Sequence, residues 1–254
     1  MNPSTDKLHA AARAVASSRS VVVLTGAGVS AESGIPTFRG GMEALWKSFD
    51  PQTLATPEAF ARDPRTVTEW YDWRRQKCRE AIPNKAHLAL AELEGRLASR
   101  AGAFTLLTQN VDRLHHRAGS RNVVELHGNI MQWRCDRTGK PADVPEGPFA
   151  QVPVPSPHHP GAHLRPCVVW FGEALPEAAL RAAFEATHAC DLFMSIGTSA
   201  VVYPAAGFVE LASSRGAKTI EINRDSTPIS RRVDWSLRGP AGEILPMLLD
   251  QDAA

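Results

Sequence analysis

Short apolar runs alternate along the chain with stretches of helical, amphipathic periodicity. Helical patterns include residues 5–17, 86–98 and 176–189. The apolar runs, rich in β-branched and aliphatic side chains, are residues 21–24, 104–107, 123–126, 168–171, 192–196 and 219–222. Short buried strands that alternate with helices are typical of an α/β fold with a mainly parallel sheet. The pattern therefore predicts a Rossmann-like parallel sheet.

Two segments interrupt this alternation. Residues 36–83 have the pattern of helix and loop without a strand, and residues 133–163 are rich in Pro, Gly and His with little periodicity. We interpret them as a helical insert and a second, smaller insert module. The Rossmann-like domain itself would then be formed by residues 1–35, 84–132 and 164–254.

Composition narrows the functional classes. The 254 residues are 43% hydrophobic and 22% charged, as in ordinary globular proteins, which excludes collagen, coiled coil and wholly disordered chains. With 28 basic and 27 acidic side chains, the chain lacks the basic excess typical of nucleic-acid binding. No apolar stretch is long enough to span a membrane and the first residues do not resemble a signal peptide, so we expect a cytoplasmic protein. The four scattered cysteines are expected to be free thiols.

A glycine-rich hexamer follows the first predicted strand. Gly26-Ala27-Gly28-Val29-Ser30-Ala31 fits the pattern G-x-G-x-x-G/A, in which glycines allow a tight turn and close approach to a pyrophosphate. Many strand-to-helix turns carry two glycines, so the hexamer alone is weakly diagnostic. The acidic residue that usually follows about 20 positions later is replaced here by residues 36–41, Pro-Thr-Phe-Arg-Gly-Gly. The sequence thus indicates a modified Rossmann fold.

Polar residues follow several of the predicted strands. A single His or Asn in such a place is commonly a turn cap. Several of them at the carboxyl ends of parallel strands, beside a glycine loop, indicate a ligand crevice instead. His127 is the candidate acid or base because the imidazole pKa lies near neutrality. The residues concerned are Gln109, Asn110, Asp112, His127, Thr198, Ser199 and Asn223.

Six segments, in order along most of the chain, resemble the sirtuins, the NAD-dependent protein lysine deacylases. The segments are GAGVSAESGIPTFRG (26–40), TQNVDRLHHRAG (108–119), ELHGN (125–129), VVWFGE (168–173), GTS (197–199) and EIN (221–223). The resemblance implies NAD as the cofactor. The residues that would bind NAD are Gly26, Ala27, Gly28, Ala31, Phe38, Arg39, Gln109, Asn110, Asp112, Gly197, Thr198, Ser199, Asn223 and Ala241.

The resemblance also implies the reaction. His127 would be the general base, with Asn110 and Asp112 as further catalytic residues. In the family's mechanism the acyl-lysine oxygen attacks the nicotinamide ribose, nicotinamide leaves, and the acyl group is transferred to give lysine and O-acyl-ADP-ribose. The partner is an acylated lysine of a protein, whose peptide would pair as an added strand. The residues along which it would lie are Val168, Val169, Phe171 and Gly172.

The acyl group is suggested by Tyr71 and Arg74. Residues three apart share a helix face, and a phenol with a guanidinium suits a carboxylate. Together with the small Ala55, they resemble the sirtuin subgroup that removes succinyl and malonyl groups. Alternatively, the basic stretch of Arg74, Arg75, Lys77 and Arg79 is a solvated helix face. The enzyme would then be a deacetylase without acidic preference.

Most sirtuins carry two C-x-x-C pairs that bind zinc in a small insert. Here Cys135 matches the first cysteine, Thr138 stands in its partner's place, and the second pair has no counterpart. Cys135 with His158, His159 and His163 offers an alternative ligand set of four. We nevertheless expect no metal and a module held by packing.

Two other functions use the same NAD site. One is transfer of ADP-ribose to protein, and the other is NAD sensing without turnover. The presence of His127 and Asn110 favours deacylation over sensing.

Overall fold

The computed structural model describes residues 5–35 and 54–250. A six-stranded sheet with every neighbouring pair parallel forms its centre, in the order β3-β2-β1-β7-β8-β9. The predicted α/β class is thereby confirmed. Strand β9 matches none of the apolar runs named above. The strands are β1 (Ser20–Thr25), β2 (Ala103–Thr108), β3 (Val123–Glu125), β7 (Leu192–Ile196), β8 (Lys218–Asn223) and β9 (Trp235–Arg238).

Helices cover both faces of this sheet. Because side chains alternate along a strand, Val21 and Val23 of β1 enter one core while Val22 and Leu24 enter the other. One face is covered by α1 (Thr5–Ser17), α5 (Lys85–Ser99) and α9 (Ala241–Asp250), and the other by α7 (Glu177–Ala189) and α8 (Phe208–Ser214). Two single-turn helices, α2 (Ala27–Ser30) and α6 (Leu114–Arg117), follow β1 and β2. Burial on both faces explains why the central strands β1 and β7 are almost continuously apolar.

A second lobe combines helices and a small antiparallel sheet. Its elements are α3 (Pro57–Arg62), α4 (Pro64–Glu80), β4 (Gly128–Cys135), β5 (Pro141–Ala142) and β6 (Leu164–Val168), with the strands in the order β5-β4-β6. Trp70 of α4 and Trp133 of β4 are buried in one shared core. The two inserts of the sequence analysis therefore pack against each other.

One strand prediction is wrong. The apolar run 168–171 predicts a strand of the parallel sheet, but β6 ends at Val168 and pairs antiparallel with β4. An apolar run indicates that residues are buried but does not indicate in which sheet they lie. Val168 and Trp170 are buried in the core of the second lobe. Strands β4 and β6 also extend the small sheet beyond residues 133–163 on both sides.

Side-chain caps stabilise the N-termini of α4 and α5. The side chains of Asp63 and Asn84 accept hydrogen bonds from backbone N–H groups in the first turns of α4 and α5.

Within the described ranges, no helix is both long and apolar enough to cross a bilayer. The four cysteines all lie in those ranges and are free, as predicted.

Candidate functional site

The carboxyl ends of the parallel strands meet at one edge of the large sheet. We call this edge, with the residues that follow the strands there, the strand edge. In register, Thr25 at the end of β1 lies beside Thr108 of β2 and beside Ile196 of β7. Thr108 is in turn level with Glu125 of β3. The polar residues that follow these strands are therefore neighbours, as the sequence pattern predicted.

The glycine loop packs closely against the loop after β7. Gly28 N–H donates to the carbonyl oxygen of Gly197 over 2.8 Å, and a Cβ on Gly28 would lie 2.7 Å from that oxygen. Gly197 has φ +60°, and a Cβ there would lie 2.5 Å from the nitrogen of Val29. Side chains have no room at these positions, so the glycines allow the two loops to pack closely.

Asn110 and Asp112 are joined to the glycine loop by short hydrogen bonds. Asn110 Nδ2 donates to the carbonyl oxygen of Gly26 and to Ser30 Oγ, both over 3.0 Å. Ser30 Oγ donates to Asp112 Oδ2 over 2.7 Å, and Leu114 N–H donates to Asp112 Oδ1 over 2.8 Å. Ser30 is absent from the residues singled out above, although it is the fifth position of the glycine hexamer.

Asp112 is almost fully buried. Burial raises the pKa of its carboxyl group, and the hydrogen bonds from Leu114 and Ser30 oppose that rise. The carboxylate is thus held at a defined place in the crevice by donors on two different elements.

The far end of the crevice is organised around Thr198. Gln109 Nε2 donates to Thr198 Oγ1 over 2.9 Å, and Asn223 Nδ2 donates to the Thr198 carbonyl oxygen over 2.7 Å. Ser199 follows on the same loop and is half-buried. The predicted residues after β2 and β7 and at the end of β8 thus form one connected group.

The glycine loop also contacts the start of α9. Glu32 Oε1 accepts the N–H of Gly242 over 3.2 Å, next to the buried Ala241. Glu32 was not among the residues named from sequence, because its partner is distant along the chain. Ala31 is half-buried beside it, whereas Phe38 and Arg39 lie outside the described residues.

His127 lies between the large sheet and the second lobe. Its Nδ1 is 3.0 Å from the carbonyl oxygen of Gln109. A carbonyl oxygen only accepts, so Nδ1 carries the proton and Nε2 is the basic nitrogen. Burial lowers the pKa of His127, and the hydrogen bond to Gln109 partly opposes this change. The ring is therefore neutral and basic at Nε2 around neutral pH.

The segment that follows β6, residues 169–171, is hydrogen-bonded through its backbone to His127 and to Ala55. Val169 N–H donates to the His127 carbonyl oxygen and Phe171 N–H donates to the Ala55 carbonyl oxygen, both over 2.9 Å. Val168 is buried, Phe171 is 43% exposed and Gly172 has φ +86°. The predicted peptide-binding residues thus lie directly beside His127.

Tyr71 lies in the core of the second lobe. The indole N–H of Trp170 donates to its hydroxyl oxygen over 3.0 Å. Burial raises the pKa of Tyr71 to about 12, with the nearby charge of Arg74 acting in the opposite direction. The phenol is therefore neutral and keeps its own proton for donation. Ala55 is buried in the same core.

Arg74 packs on aromatic rings. Its guanidinium carbon lies 4.7 Å from the ring centroid of Trp70 and 5.7 Å from that of Tyr71. The side chain is half-buried, and its charge also lowers the pKa of Asp112, against the rise caused by burial. Arg74 thus faces the interior between α4 and the crevice.

The interpretation of the basic stretch as a solvated face is wrong for Arg75. This side chain is 1% exposed, and its Nη2 donates to Asp72 Oδ1 over 2.8 Å. Its two terminal nitrogens also donate to the carbonyl oxygens of Pro145 and Gly147, each over 2.7 Å. The charge is thereby paired and cross-links α4 to the segment between β5 and β6. Arg79, in contrast, is exposed.

Cys135 is buried at the end of β4. Burial opposes ionisation of the thiol, but hydrogen bonds from Ser156, Thr138 and nearby backbone outweigh it and lower its pKa to about 6. The sulfur is thus surrounded by hydrogen-bond donors.

The histidines of the small module do not converge on Cys135. His158 Nε2 lies 2.7 Å from the Pro141 carbonyl oxygen, and His159 Nδ1 lies 2.7 Å from the Pro160 carbonyl oxygen. In the part of the chain that the structure describes, no three His, Cys, Asp or Glu side chains group as metal ligands. These residues do not fit a structural zinc site, and the absence of zinc from the protein remains a prediction.

Comparison with known sequences gives a consistent set of relatives. The sequence model of the Sir2 family matches residues 26–204. An NAD-dependent protein deacylase of Thermus thermophilus is 50% identical over 244 residues, covering 96% of this chain and 94% of the relative. NAD-dependent protein deacylase 1 of Pseudomonas aeruginosa is 48% identical over 248 residues, covering 95% and 98%.

Solved structures agree. A Sir2 homologue in complex with NAD superposes with a TM-score of 0.89 at 47% identity, covering 99% of this chain and 95% of the other. A Sir2 protein with a deacetylated p53 peptide and 3′-O-acetyl ADP-ribose has a TM-score of 0.79 at 32% identity, with coverage of 94% and 96%.

Proposed function

Because the chain belongs to the Sir2 family and its relatives are NAD-dependent protein deacylases, we propose that it removes succinyl and malonyl groups from protein lysines. Acetyl groups are a second substrate. The products are nicotinamide, the free lysine and O-acyl-ADP-ribose. The acidic preference is the part that goes beyond the family assignment.

The position of Arg74 carries this proposal. The guanidinium lies over the rings of Trp70 and Tyr71. Tyr71 accepts from Trp170, so its O–H proton remains available to an acyl carboxylate. A guanidinium fork beside a neutral phenol supplies directed donors and a positive charge, which suits a carboxylate at the end of a short chain. The small Ala55 leaves room for that chain.

The residues of the strand edge fit NAD. Amides, hydroxyls and one carboxylate converge there beside the closely packed glycine loops. Asn110, Asp112 and Ser30 would hold the nicotinamide and its ribose, while Thr198 and Asn223 would hold the adenosine half. When bound, NAD supplies an electrophilic ribose carbon with nicotinamide as its leaving group.

His127 is the general base of this proposal. Its Nδ1 proton is held by the Gln109 carbonyl oxygen, which leaves Nε2 to accept a proton. Gln109 then stabilises the charge that the ring gains, because the same carbonyl faces Nδ1–H in both protonation states. The backbone contact of His127 with Val169 keeps the base beside the peptide-binding segment.

The test is turnover of one peptide in succinyl-, malonyl- and acetyl-lysine forms, each incubated with NAD and followed by mass spectrometry. We expect preference for the two acidic groups. Arg74→Met should lower kcat/KM for the succinyl peptide by about 10–100-fold more than for the acetyl peptide, since hydrogen bonds to a charged group are lost. Arg65→Met on the same helix, whose guanidinium pairs with Glu69 at the surface, is the matched control.

Equal losses on both peptides would contradict the acidic preference and assign Arg74 to packing of α4. Nicotinamide release that does not depend on acyl peptide would favour ADP-ribose transfer to protein. NAD binding without release of nicotinamide would favour sensing.

A further inference from the structure

Two buried histidines lie directly behind the strand edge without belonging to the proposed chemistry. His87 is on α5 and His115 is on α6, with exposures of 0% and 2%. Their ring centroids are 4.8 Å apart. Burial lowers the pKa of His87 to about 4 and lowers the pKa of His115 as well, with neighbouring His87 and His116 adding to the second effect. Both rings are therefore neutral, with one proton each.

The proton of His87 is placed by its capping role. Asn84 N–H points at His87 Nδ1 over 3.3 Å. A backbone N–H only donates, so Nδ1 accepts and the single proton of the neutral ring is on Nε2. That Nε2 is buried and has no hydrogen-bond partner among the described residues.

The proton of His115 follows from two threonines. The Thr25 hydroxyl donates to Thr108 Oγ1 over 2.9 Å, and His115 Nε2 lies 2.9 Å from Thr25 Oγ1. Since the one hydroxyl proton of Thr25 is used by Thr108, His115 must donate through Nε2–H. Its Nδ1 is then a bare acceptor, and within the described part of the chain it too has no partner.

The two unpaired nitrogens are complementary. One ring offers a buried N–H and the facing ring offers a buried lone pair, and leaving buried polar groups unpaired destabilises a fold. The two nitrogens are not hydrogen-bonded to each other, and a single water between them would satisfy both. The opposite tautomer of His115 would instead set two donors against each other.

The chain of contacts ends at a residue of the crevice. Thr108 Oγ1 accepts the backbone N–H of Asn110 over 3.1 Å. The side chain of Asn110 in turn holds the Gly26 carbonyl oxygen and Ser30. A displacement of His115 would thus be transmitted through Thr25 and Thr108 to Asn110.

The other end of this series of contacts is Asn84, which is hydrogen-bonded to the glycine loop and the residues after it. Asn84 Nδ2 donates to the Val29 carbonyl oxygen over 2.8 Å and to Ser33 Oγ over 3.0 Å. The histidine pair therefore lies between two sets of contacts, one to the glycine loop through Asn84 and one to Asn110 through the two threonines.

We propose that His87 and His115 are a positioning pair for Asn110. One buried water accepts from His87 Nε2–H and donates to His115 Nδ1, and both rings are held in the Nε2–H form. The pair keeps Asn110 and the glycine loop in one arrangement when NAD binds. This role is independent of the acyl group that is removed.

Two substitutions remove one end of the water-mediated link and keep the other hydrogen bond of the substituted residue. In His87→Asn the amide oxygen can still accept from Asn84, but the Nε2 donor is gone. In His115→Gln the amide nitrogen can still donate to Thr25, but the Nδ1 acceptor is gone. Each should raise KM for NAD and lower kcat/KM about 10-fold, within the roughly 100-fold that an ångström-scale displacement can cost. KM for the acyl peptide should be unchanged.

The double variant tests whether the residues act as a pair. His87→Asn/His115→Gln should lose about as much as either single variant, because residues that share one contact are not additive. His116→Gln, on the same helix as His115 and facing Glu125, is the control that should leave kinetics unchanged. Additive losses, or unchanged KM for NAD with lower thermal stability alone, would overturn the proposal.

The wild-type protein provides a readout that needs no variant. Nitrogen-15 NMR distinguishes the tautomers, and both imidazoles should carry the proton on Nε2. A His115 ring protonated on Nδ1 would overturn the assignment, even if the variants fail to fold. The ratio of succinyl to acetyl turnover should be the same in His87→Asn as in wild type, whereas Arg74→Met changes it. Failure of this inference is therefore distinct from failure of the acyl preference.

Discussion

The strand edge and the second lobe are built by different means. At the edge, short side chains and backbone groups that follow parallel strands meet because the sheet aligns them. In the second lobe, long side chains bridge the elements, as Arg75 does between α4 and Gly147, or Arg165 with Glu173 over 2.7 Å. The edge that would hold NAD is thus built largely from backbone contacts and short side chains. In our proposal, selection of the acyl group rests on long side chains of the second lobe, which can change without disturbing the edge.

Loss of the proposed base, His127, should have the largest effect. His127→Ala removes the proton acceptor and should lower deacylation by about 10²–10⁴-fold, the usual contribution of a general base. NAD binding, measured by calorimetry, should persist because Asn110 and Thr198 remain. Loss of NAD binding together with turnover would contradict the separation between base and cofactor site.

The second lobe should be most sensitive at Arg75. Arg75→Met leaves Asp72 buried without its ion-pair partner and should lower the free energy of unfolding by about 3–5 kcal/mol, measured by urea denaturation. Hydrogen exchange should increase first in α4 and β4. The exposed pair of Arg65 and Glu69 is the reference, since Arg65→Met should leave the free energy of unfolding nearly unchanged. Similar losses in both variants would contradict the cross-linking role.

The loop contact at the strand edge can be tested with two glycines. Gly197→Ala places a Cβ against Val29 at positive φ and should destabilise by about 1–3 kcal/mol and weaken NAD binding. Gly95, within α5, has open space around it, so Gly95→Ala should stabilise by about 0.5–1 kcal/mol. Thermal denaturation and NAD titration of both variants make the comparison, and the same sign in both would refute it.

The pH dependence should reflect burial of His127. Only the neutral ring is a base, and its pKa is lowered from the ordinary 6.5, so it stays neutral to lower pH than an exposed histidine. The profile of kcat/KM should be flat from about pH 7 upward and should fall about 10-fold per unit below the lowered pKa. A midpoint at or above 6.5 would contradict the assignment.

Metal removal should have the smallest effect. The second lobe is held by packing and hydrogen bonds rather than by converging ligands in its described residues. Dialysis against a chelator should therefore leave deacylation and the unfolding temperature unchanged. Inactivation that zinc reverses would show a metal that the side-chain positions do not indicate.

Much of the strand edge is predictable from local sequence. Local patterns identify the strands, and the polar residues after them, such as Gln109 and His127, are placed together by one topological rule. Ser30 was missed, although it lies in the hexamer, because its partner Asp112 is 82 residues away. Glu32 was missed for the same reason, since Gly242 is 210 residues away.

The sequence by itself determined the fold class, the positions of most strands along the chain and many of the polar residues at the crevice, because these depend on local periodicity and short motifs. Tertiary structure alone decided that the two inserts share one core, that Arg75 is buried while Arg79 is exposed, and that His87 faces His115. A charge run or a lone histidine looks the same in sequence whether it faces water or a partner. Long-range packing decides which, since burial requires a partner for each polar group.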